Sequence, residues 1–305
     1  MMHGTTADAP PNVIHRRIVS DQNQTGAAEA IIRPSSLQTF AGCQRRWAAT
    51  AMPDLLRETG YDLRKNLPKH IGAAIGTGVH AAVAYTLERK RESGDLGGSD
   101  EAEGRAEAAL VEGLQEGAIW DDATPSLNTA KTQAQRMVRS YRRHIAPFVQ
   151  PLLVEERLVA DVGDGWHLSG QADTLAGGEG NRVRDLKTQR ALSNHSLQMG
   201  GYGVILQAHG LDVSGAVIDF IPRVRVSAEQ PPPESHEIPL RYAVAEAWDT
   251  IDAVKAAVAE FQRRAADPSG RDPAGAFRAN PASSLCGEKW CPAFGTDFCR
   301  ITKRT

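Results

Sequence analysis

Two aspartates and a lysine carry the clearest chemistry in this chain. Asp173 closes the run Gly170-Gln171-Ala172-Asp173, and Asp185 opens Asp185-Leu186-Lys187. Between them lies a turn-forming stretch, Gly177-Gly178-Glu179-Gly180-Asn181. Short apolar-patterned runs on either side of such a turn predict a β-hairpin. If the strands pair symmetrically about Glu179, Asp173 faces Asp185 on one side of the sheet, with Cβ atoms roughly 4.5–5.5 Å apart. Lys187, two residues further on, shares that face. Like charges so placed destabilise a sheet, and a divalent cation between them reverses the sign. The chemistry that uses this arrangement is phosphodiester hydrolysis. Carboxylates hold Mg2+ or Mn2+, the ion polarises the phosphate and acidifies a water, and the amine orients that water or stabilises the developing charge. A surface hairpin with a solvated Asp–Lys pair has the same pattern, and a one-residue slip would send the aspartates to opposite faces.

Three other residues bear on the hairpin. Gln198 and Tyr202 are spaced i, i+4 and share one face of the next helix. His80 sits on a glycine-rich helical segment, and an imidazole suits Mn2+ better than Mg2+. Each alone also fits an ordinary packing or surface position. The cysteines form a second constellation: Cys43, then Cys286, Cys291 and Cys299. A disulfide framework is improbable in a non-exported chain of this length, so four thiolates around zinc or an iron–sulfur cluster, or four unrelated buried thiols, are the readings left open.

The elements that must position these residues follow from periodicity. Residues 1–30 lack an apolar period and read as a mobile tail. A serine cap at Ser35-Ser36 predicts a helix carrying Leu37, Phe40 and Trp47. Residues 71–91 read as a helix in which Gly72, Gly76 and Gly78 imply close packing against a neighbour. Residues 101–118 and 127–148 read as two more. From Pro151 the pattern turns to strands at 152–162, 166–176 and 181–187, followed by a helix at 195–209 and strands at 213–221 and 235–240. Residues 241–264 form an amphipathic helix with Val244, Trp248, Ile251, Val254, Val258 and Phe261 on its apolar face. Beyond Asp267 the chain is loop up to the cysteine trio.

Taken together, these motifs resemble the PD-(D/E)XK nuclease superfamily in its RecB-like exonuclease branch, which includes the AddB nuclease domain, CRISPR-associated RecB-like nucleases and phage exonucleases. The family order of helical His, G-x-x-D, D/E-x-K and Q-x-x-x-Y is matched by Gly76-Thr77-Gly78-Val79-His80, Gly170-Gln171-Ala172-Asp173, Asp185-Leu186-Lys187 and Gln198-Met199-Gly200-Gly201-Tyr202. The resemblance implies that Asp173, Asp185, His80 and the Leu186 carbonyl bind Mg2+ or Mn2+. It makes Lys187 the catalytic lysine, with Gln198 and Tyr202 lining the site and positioning DNA or the lysine. The iron–sulfur members carry one cysteine in an S-x-L-x-x-[FY]-x-x-C element, matched by Ser35 to Cys43, and three near the C-terminus, matched by Cys286, Cys291 and Cys299. Their C-x2-C-x5-C spacing is tighter than the one found here. The resemblance therefore implies a [4Fe–4S] cluster, with Zn2+ as the alternative.

The expected fold class is α/β: a restriction-endonuclease-like mixed sheet flanked by helices, with an N-terminal helical region and a C-terminal cluster-bearing tail. The expected division is a tail at 1–30, a helical region at 31–150 with Cys43 and His80, a nuclease core at 151–266 and a cysteine tail at 267–305. A formal net charge of −2 excludes a histone-like binder but not a local basic patch. Candidate phosphate contacts are Arg45, Arg46, Arg182, Arg184, Arg190, Arg223, Arg225, Arg300, Lys303 and Arg304, and Trp47 and Trp290 are candidates for stacking on bases. No apolar run is long enough to span a membrane, and the first twenty residues lack a signal-peptide core, so a cytoplasmic location is expected. The implied function is a metal-dependent DNA exonuclease in recombination, repair or phage DNA metabolism, with DNA and a helicase or recombinase as the expected partners. The alternative is a non-catalytic DNA-binding or scaffold protein with a structural or redox-responsive cluster.

Overall fold

The structure is a computed structural model that describes residues 30–65, 67–178 and 180–302. The expected N-terminal tail, apart from Ala30, and the candidate contacts Lys303 and Arg304 lie outside the described residues. A mixed sheet runs β4 (Gln150–Asp161), β5 (Trp166–Gly177), β6 (Arg182–Lys187), β7 (Gly215–Phe220) and β8 (Glu234–Ile238). β6 and β7 are parallel and the other neighbours in that row are antiparallel. The parallel pair needs a crossover, supplied by helix α7 (Ser196–Ala208). A short strand, β1 (Ala30–Ile32), runs parallel to the start of β5. The sequence signalled no such strand, because three residues are too few to show a period.

Helices cover both faces of the sheet. On one side lie α4 (Ile71–Ser93), α5 (Ser99–Glu112) and α6 (Leu127–His144), around Ile75, Val79, Leu110 and Met137. On the other lie α1 (Pro34–Gly42), α2 (Gln44–Ala51), α3 (Pro53–Glu58), α7 and α8 (Leu240–Ala265), around Leu37, Trp47, Ile205, Ile251 and Phe261. Two-residue strands β2 (Lys69–His70) and β3 (Ala118–Ile119) pair beside α4.

Local chemistry explains several boundaries. α1 begins at Pro34 rather than behind a serine cap: Arg33 occupies the cap position, and proline needs no N–H partner in the first turn. α6 stops at His144 because Pro147 follows. On α8 the expected stripe is buried from Ile251 onward, whereas at its start Val244 is half-buried, Trp248 stays 38% exposed, and Ala243 and Ala247 face the core instead. Two glycines permit close helix contacts. A Cβ at Gly78 would lie 2.5 Å from the Ala106 carbonyl oxygen of α5, and one at Gly200 would lie 1.9 Å from the Ala243 oxygen of α8. Gly200→Ala must therefore push α7 off α8, at a cost of about 2–3 kcal/mol. Urea denaturation should show a midpoint lowered accordingly; an unchanged midpoint would mean the two helices separate freely.

Candidate active site

The site forms where two strands part. β5 and β6 pair in the register Thr174 to Arg184, Leu175 to Val183 and Ala176 to Arg182. One step further along that register Asp173 would meet Asp185, and there the ladder ends. Asp173 closes the fork with its own side chain: its Oδ2 accepts a hydrogen bond from the Leu186 backbone N–H at 2.6 Å. Gly170, at the head of the motif, leaves room for packing, since a Cβ there would lie 2.8 Å from Pro34 and 3.0 Å from the Tyr202 ring. α4 crosses the opening and places His80 Nδ1 3.2 Å from Asp173 Oδ1.

Asp185 is 2% exposed and points to the α7 side of the fork. Its Oδ2 lies 2.5 Å from Lys187 Nζ, and its Oδ1 accepts a hydrogen bond from Gln198 Nε2 at 3.0 Å. Lys187 Nζ also donates to Gln198 Oε1 at 3.0 Å. Gln198 Nε2 reaches the Tyr202 hydroxyl at 3.1 Å, and that hydroxyl donates to the Gln171 carbonyl at 3.0 Å. The i, i+4 pair on α7 thus braces the strands from behind. Gln198 and Tyr202 are both buried, so they position Asp185 and Lys187 rather than present a surface to nucleic acid.

One member of the cluster was not anticipated. Glu155 on β4 stands across from Asp173, between the paired positions Val154–Thr174 and Glu156–Ala172. The carboxylate oxygen of Glu155, an imidazole nitrogen of His80 and a carboxylate oxygen of Asp173 all lie within 4.8 Å of one another. The sequence offered only a faint sign of it: two adjacent acids, Glu155-Glu156, directly after the apolar run Pro151-Leu152-Leu153-Val154.

Burial and crowding set the charge states. Burial alone would lower His80, but Asp173, Asp185 and Glu155 around it push the imidazole up to about 9. Burial and the neighbouring Asp173 raise Glu155 to about 7 and Asp185 to about 6. Asp173 is held below its ordinary value despite its burial, because His80 sits against it. His195 at the start of α7 is pushed down to about 4 by burial and by Lys187. His80, Glu155 and Asp185 therefore bind protons more tightly folded than unfolded. Their contribution to stability is complete below ordinary pKa values of about 6.5, 4.3 and 3.9. It is lost as pH rises through about 9, 7 and 6 respectively. Asp173 acts in the opposite sense, stabilising above the usual carboxylate range and ceasing to do so on acidification. The melting temperature of EDTA-treated protein should fall between about pH 5 and pH 9, and added Mn2+ should restore it at the alkaline end. A flat profile would show that these groups do not crowd one another.

The donor set fits a divalent metal. Three carboxylates meet two cationic groups, His80 and Lys187, so the buried site holds a surplus of negative charge that a cation relieves. A cleft of about 1100 Å3 opens onto it, lined by His80, Glu155, Asp173, Lys187, Arg190 and Arg223 among others.

The proposed phosphate contacts fare unevenly. Arg223 is buried and forked onto Asp121, so it fixes the 121–124 turn rather than reaching for a ligand. Arg184 is forked onto Asp219, and Arg182 is paired with Glu237. Arg45 donates to the Phe277 and Phe298 carbonyls, and Arg46 donates to the Trp290 carbonyl, tying α2 to the C-terminal loops. Arg190 is exposed at the cleft. Arg225 and Arg300 are exposed away from its lining. Trp47 is 1% exposed and packs against Phe40 and Phe277, so it is core. Trp290 is half-buried, beside the His70 ring.

All four cysteines converge on one small cavity, which Arg46, Ser283 and Phe294 also line. Burial raises the Cys291 thiol, and the neighbouring Cys43 and Cys299 raise it further.

A carboxylate-rich fork with a lysine, on a mixed sheet between two helical layers, defines a phosphodiester-cleaving class of fold. The chain belongs to the PD-(D/E)XK nuclease superfamily, whose family model matches residues 32–295. Members of that superfamily are nucleases that use divalent metals. No curated protein matches the chain. Among solved structures, one described as the crystal structure of SSO0001 is 12% identical, with a TM-score of 0.32, over 79% of this chain and 84% of that one. Among the described residues, no helix is long and apolar enough to cross a membrane.

Proposed function

We propose that the protein is a metal-dependent deoxyribonuclease of the RecB-like branch, acting as an exonuclease in recombination, repair or phage DNA metabolism. The observation that carries this reading is the fork itself, with Asp173 and His80 on one side and the buried Asp185 with Lys187 on the other, where His80, Asp173 and Lys187 line an open cleft. His80, Asp173, Asp185 and the Leu186 carbonyl would hold Mg2+ or Mn2+, which supplies charge neutralisation on the phosphate and acidification of the attacking water. Lys187 Nζ, fixed between Asp185 Oδ2 and Gln198 Oε1, sits where it orients that water and offers positive charge to the transition state. Gln198 holds both members of the Asp185–Lys187 pair, and Tyr202 anchors Gln198 to β5. Arg190 at the cleft is a contact for the DNA backbone.

The four thiolates are proposed to hold a [4Fe–4S] cluster that fastens the C-terminal loops to the α1–α2 corner, with Zn2+ as the alternative occupant. Supporting this, the cysteines line one cavity and supply the all-sulfur donor set that both occupants take. Anaerobically purified protein with a broad absorbance band near ~400 nm would indicate iron, and colourless protein containing zinc would indicate the alternative.

The nuclease reading is tested with end-labelled linear DNA and Mg2+ or Mn2+, comparing wild type with Lys187→Ala and Asp185→Ala. Wild type should release nucleotides and both variants should be inert. Wild-type protein that binds DNA yet cleaves none would make it a scaffold on the same fold.

A further inference from the structure

We propose that Trp290, with Lys289 and Arg190, forms a subsite for one unpaired nucleotide of a DNA strand, the indole stacking on its base and the two cations taking its phosphates; the proposal rests on the reading that the cleft receives DNA. The subsite lies along the cleft from the metal fork. His70, the cap of α4, lines the cleft together with Arg190 and Arg223, as His80 does at the fork. From His70 to His80 is roughly 15 Å along the α4 axis, a span of a few nucleotides. The Trp290 ring lies 5.8 Å from the His70 ring, so the indole borders the cleft wall. Charge at this end is positive. Arg190 and Lys289 are exposed, and among the described residues neither is paired with a carboxylate. Asp121, the acid beside His70, is spent on its fork with Arg223. Burial holds the His70 imidazole below its ordinary value; Asp121 opposes this, and Arg223, Lys289 and Arg190 reinforce it. Three cations thus converge on one ring.

The indole is held in place rather than buried. Cys286 and Cys291 bracket its loop, and the N–H groups of Trp290 and Cys291 both donate to the Gly287 carbonyl, at 3.1 and 3.0 Å. Arg46 donates to the Trp290 carbonyl. Arg64 donates from its guanidinium to the Glu288 carbonyl at 2.6 Å and from its backbone to the Pro292 carbonyl at 3.0 Å. The backbone on both sides of the ring is therefore fixed before a ligand arrives, which lowers the ordering cost of binding. Lys289 Nζ lies over the Trp290 ring, 4.8 Å from its centroid. A cation–π contact at an exposed site is weaker than base stacking. A base therefore displaces the ammonium at a net gain and releases it to a phosphate, a contact that positions the strand without reading its sequence. A duplex keeps its bases within its own stack and offers none to the indole.

The test measures binding of two fluorescent oligonucleotides of equal length by anisotropy, one of thymidylate and one abasic. The full chain carries Lys187→Ala so that neither strand is cut. This parent should bind thymidylate roughly 5–100-fold more tightly than the abasic strand. Trp290→Ala should lose that preference and Trp290→Phe should keep most of it. The ratio of two affinities on one preparation does not depend on the fraction folded. Lys289→Gln and Arg190→Gln should weaken both strands alike, each reducing the slope of log affinity on log salt by about 0.7. A parent without the preference, or a Trp290→Ala variant that retains it, would overturn the subsite; parental salt slopes in the charge variants would remove the cations from it. None of these outcomes touches the nuclease reading, which cleavage of linear DNA by wild type decides separately.

Discussion

Asp173→Asn should reduce DNA cleavage by on the order of a thousandfold or more while the protein stays folded and still binds DNA. The substitution keeps the shape of the side chain and one carbonyl oxygen, so the Leu186 N–H retains an acceptor. It removes the negative charge beside His80, the carboxylate that does most to raise that imidazole. The loss belongs in kcat, because Asp173 sits at the floor of the cleft and does not form its rim. Lys187→Ala should cost a similar amount for a different reason. It removes the only cation contacting Asp185 among the described residues, so Asp185 rises further and Gln198 loses one of its two charged partners. Steady-state cleavage of labelled DNA beside gel-shift binding separates the two parameters. Variants that cleave within tenfold of wild type would remove the fork from the chemistry.

The second large effect concerns stability. Cys291→Ala should lower the melting temperature by about 6–12 °C, reflecting a loss of roughly 3 kcal/mol. The C-terminal loops have little regular structure of their own beyond a 3-10 turn at Pro273–Ala276. Their order rests on Phe277 and Phe298 packed with Trp47, Tyr61 and Phe261, on the Arg45 hydrogen bonds, and on the thiol site. On the proposed reading of the thiol site, removing one of its four sulfurs would weaken a link that joins Cys43 to Cys286 and Cys299 across most of the chain. Limited proteolysis should then cut within 267–302 before the sheet unfolds. Wild-type melting with uncut loops would mean the thiols are ordinary core residues.

What the sequence disclosed depended on whether a feature leaves a periodic trace. The β5–β6 hairpin did, because alternation and a glycine-rich turn fix its register, and Thr174 does face Arg184. The long α8 stripe was legible from Ile251 onward, but at its start Val244 is half-buried and Trp248 exposed, with Ala243 and Ala247 buried in their place. Gly78 announced close packing, and the α5 backbone is what it meets. Gln198 and Tyr202 were visible by spacing, but their work as braces behind Asp185 and Lys187 depends on how far α7 sinks against the fork. Glu155 was hidden because a left-handed residue inside a strand breaks the alternation by which strands are recognised. The arginines misled for a related reason. A sequence shows where positive charge lies along the chain, whereas Asp121, Asp219 and Glu237, which consume it, arrive from distant segments.

The most direct measurement is anomalous diffraction from a crystal soaked in Mn2+. A single strong peak at the fork between His80, Asp173 and Asp185, in contact with Asp173, is the expected result. A soaked crystal with no density there, or with manganese bound only at surface carboxylates, would contradict the account at its centre.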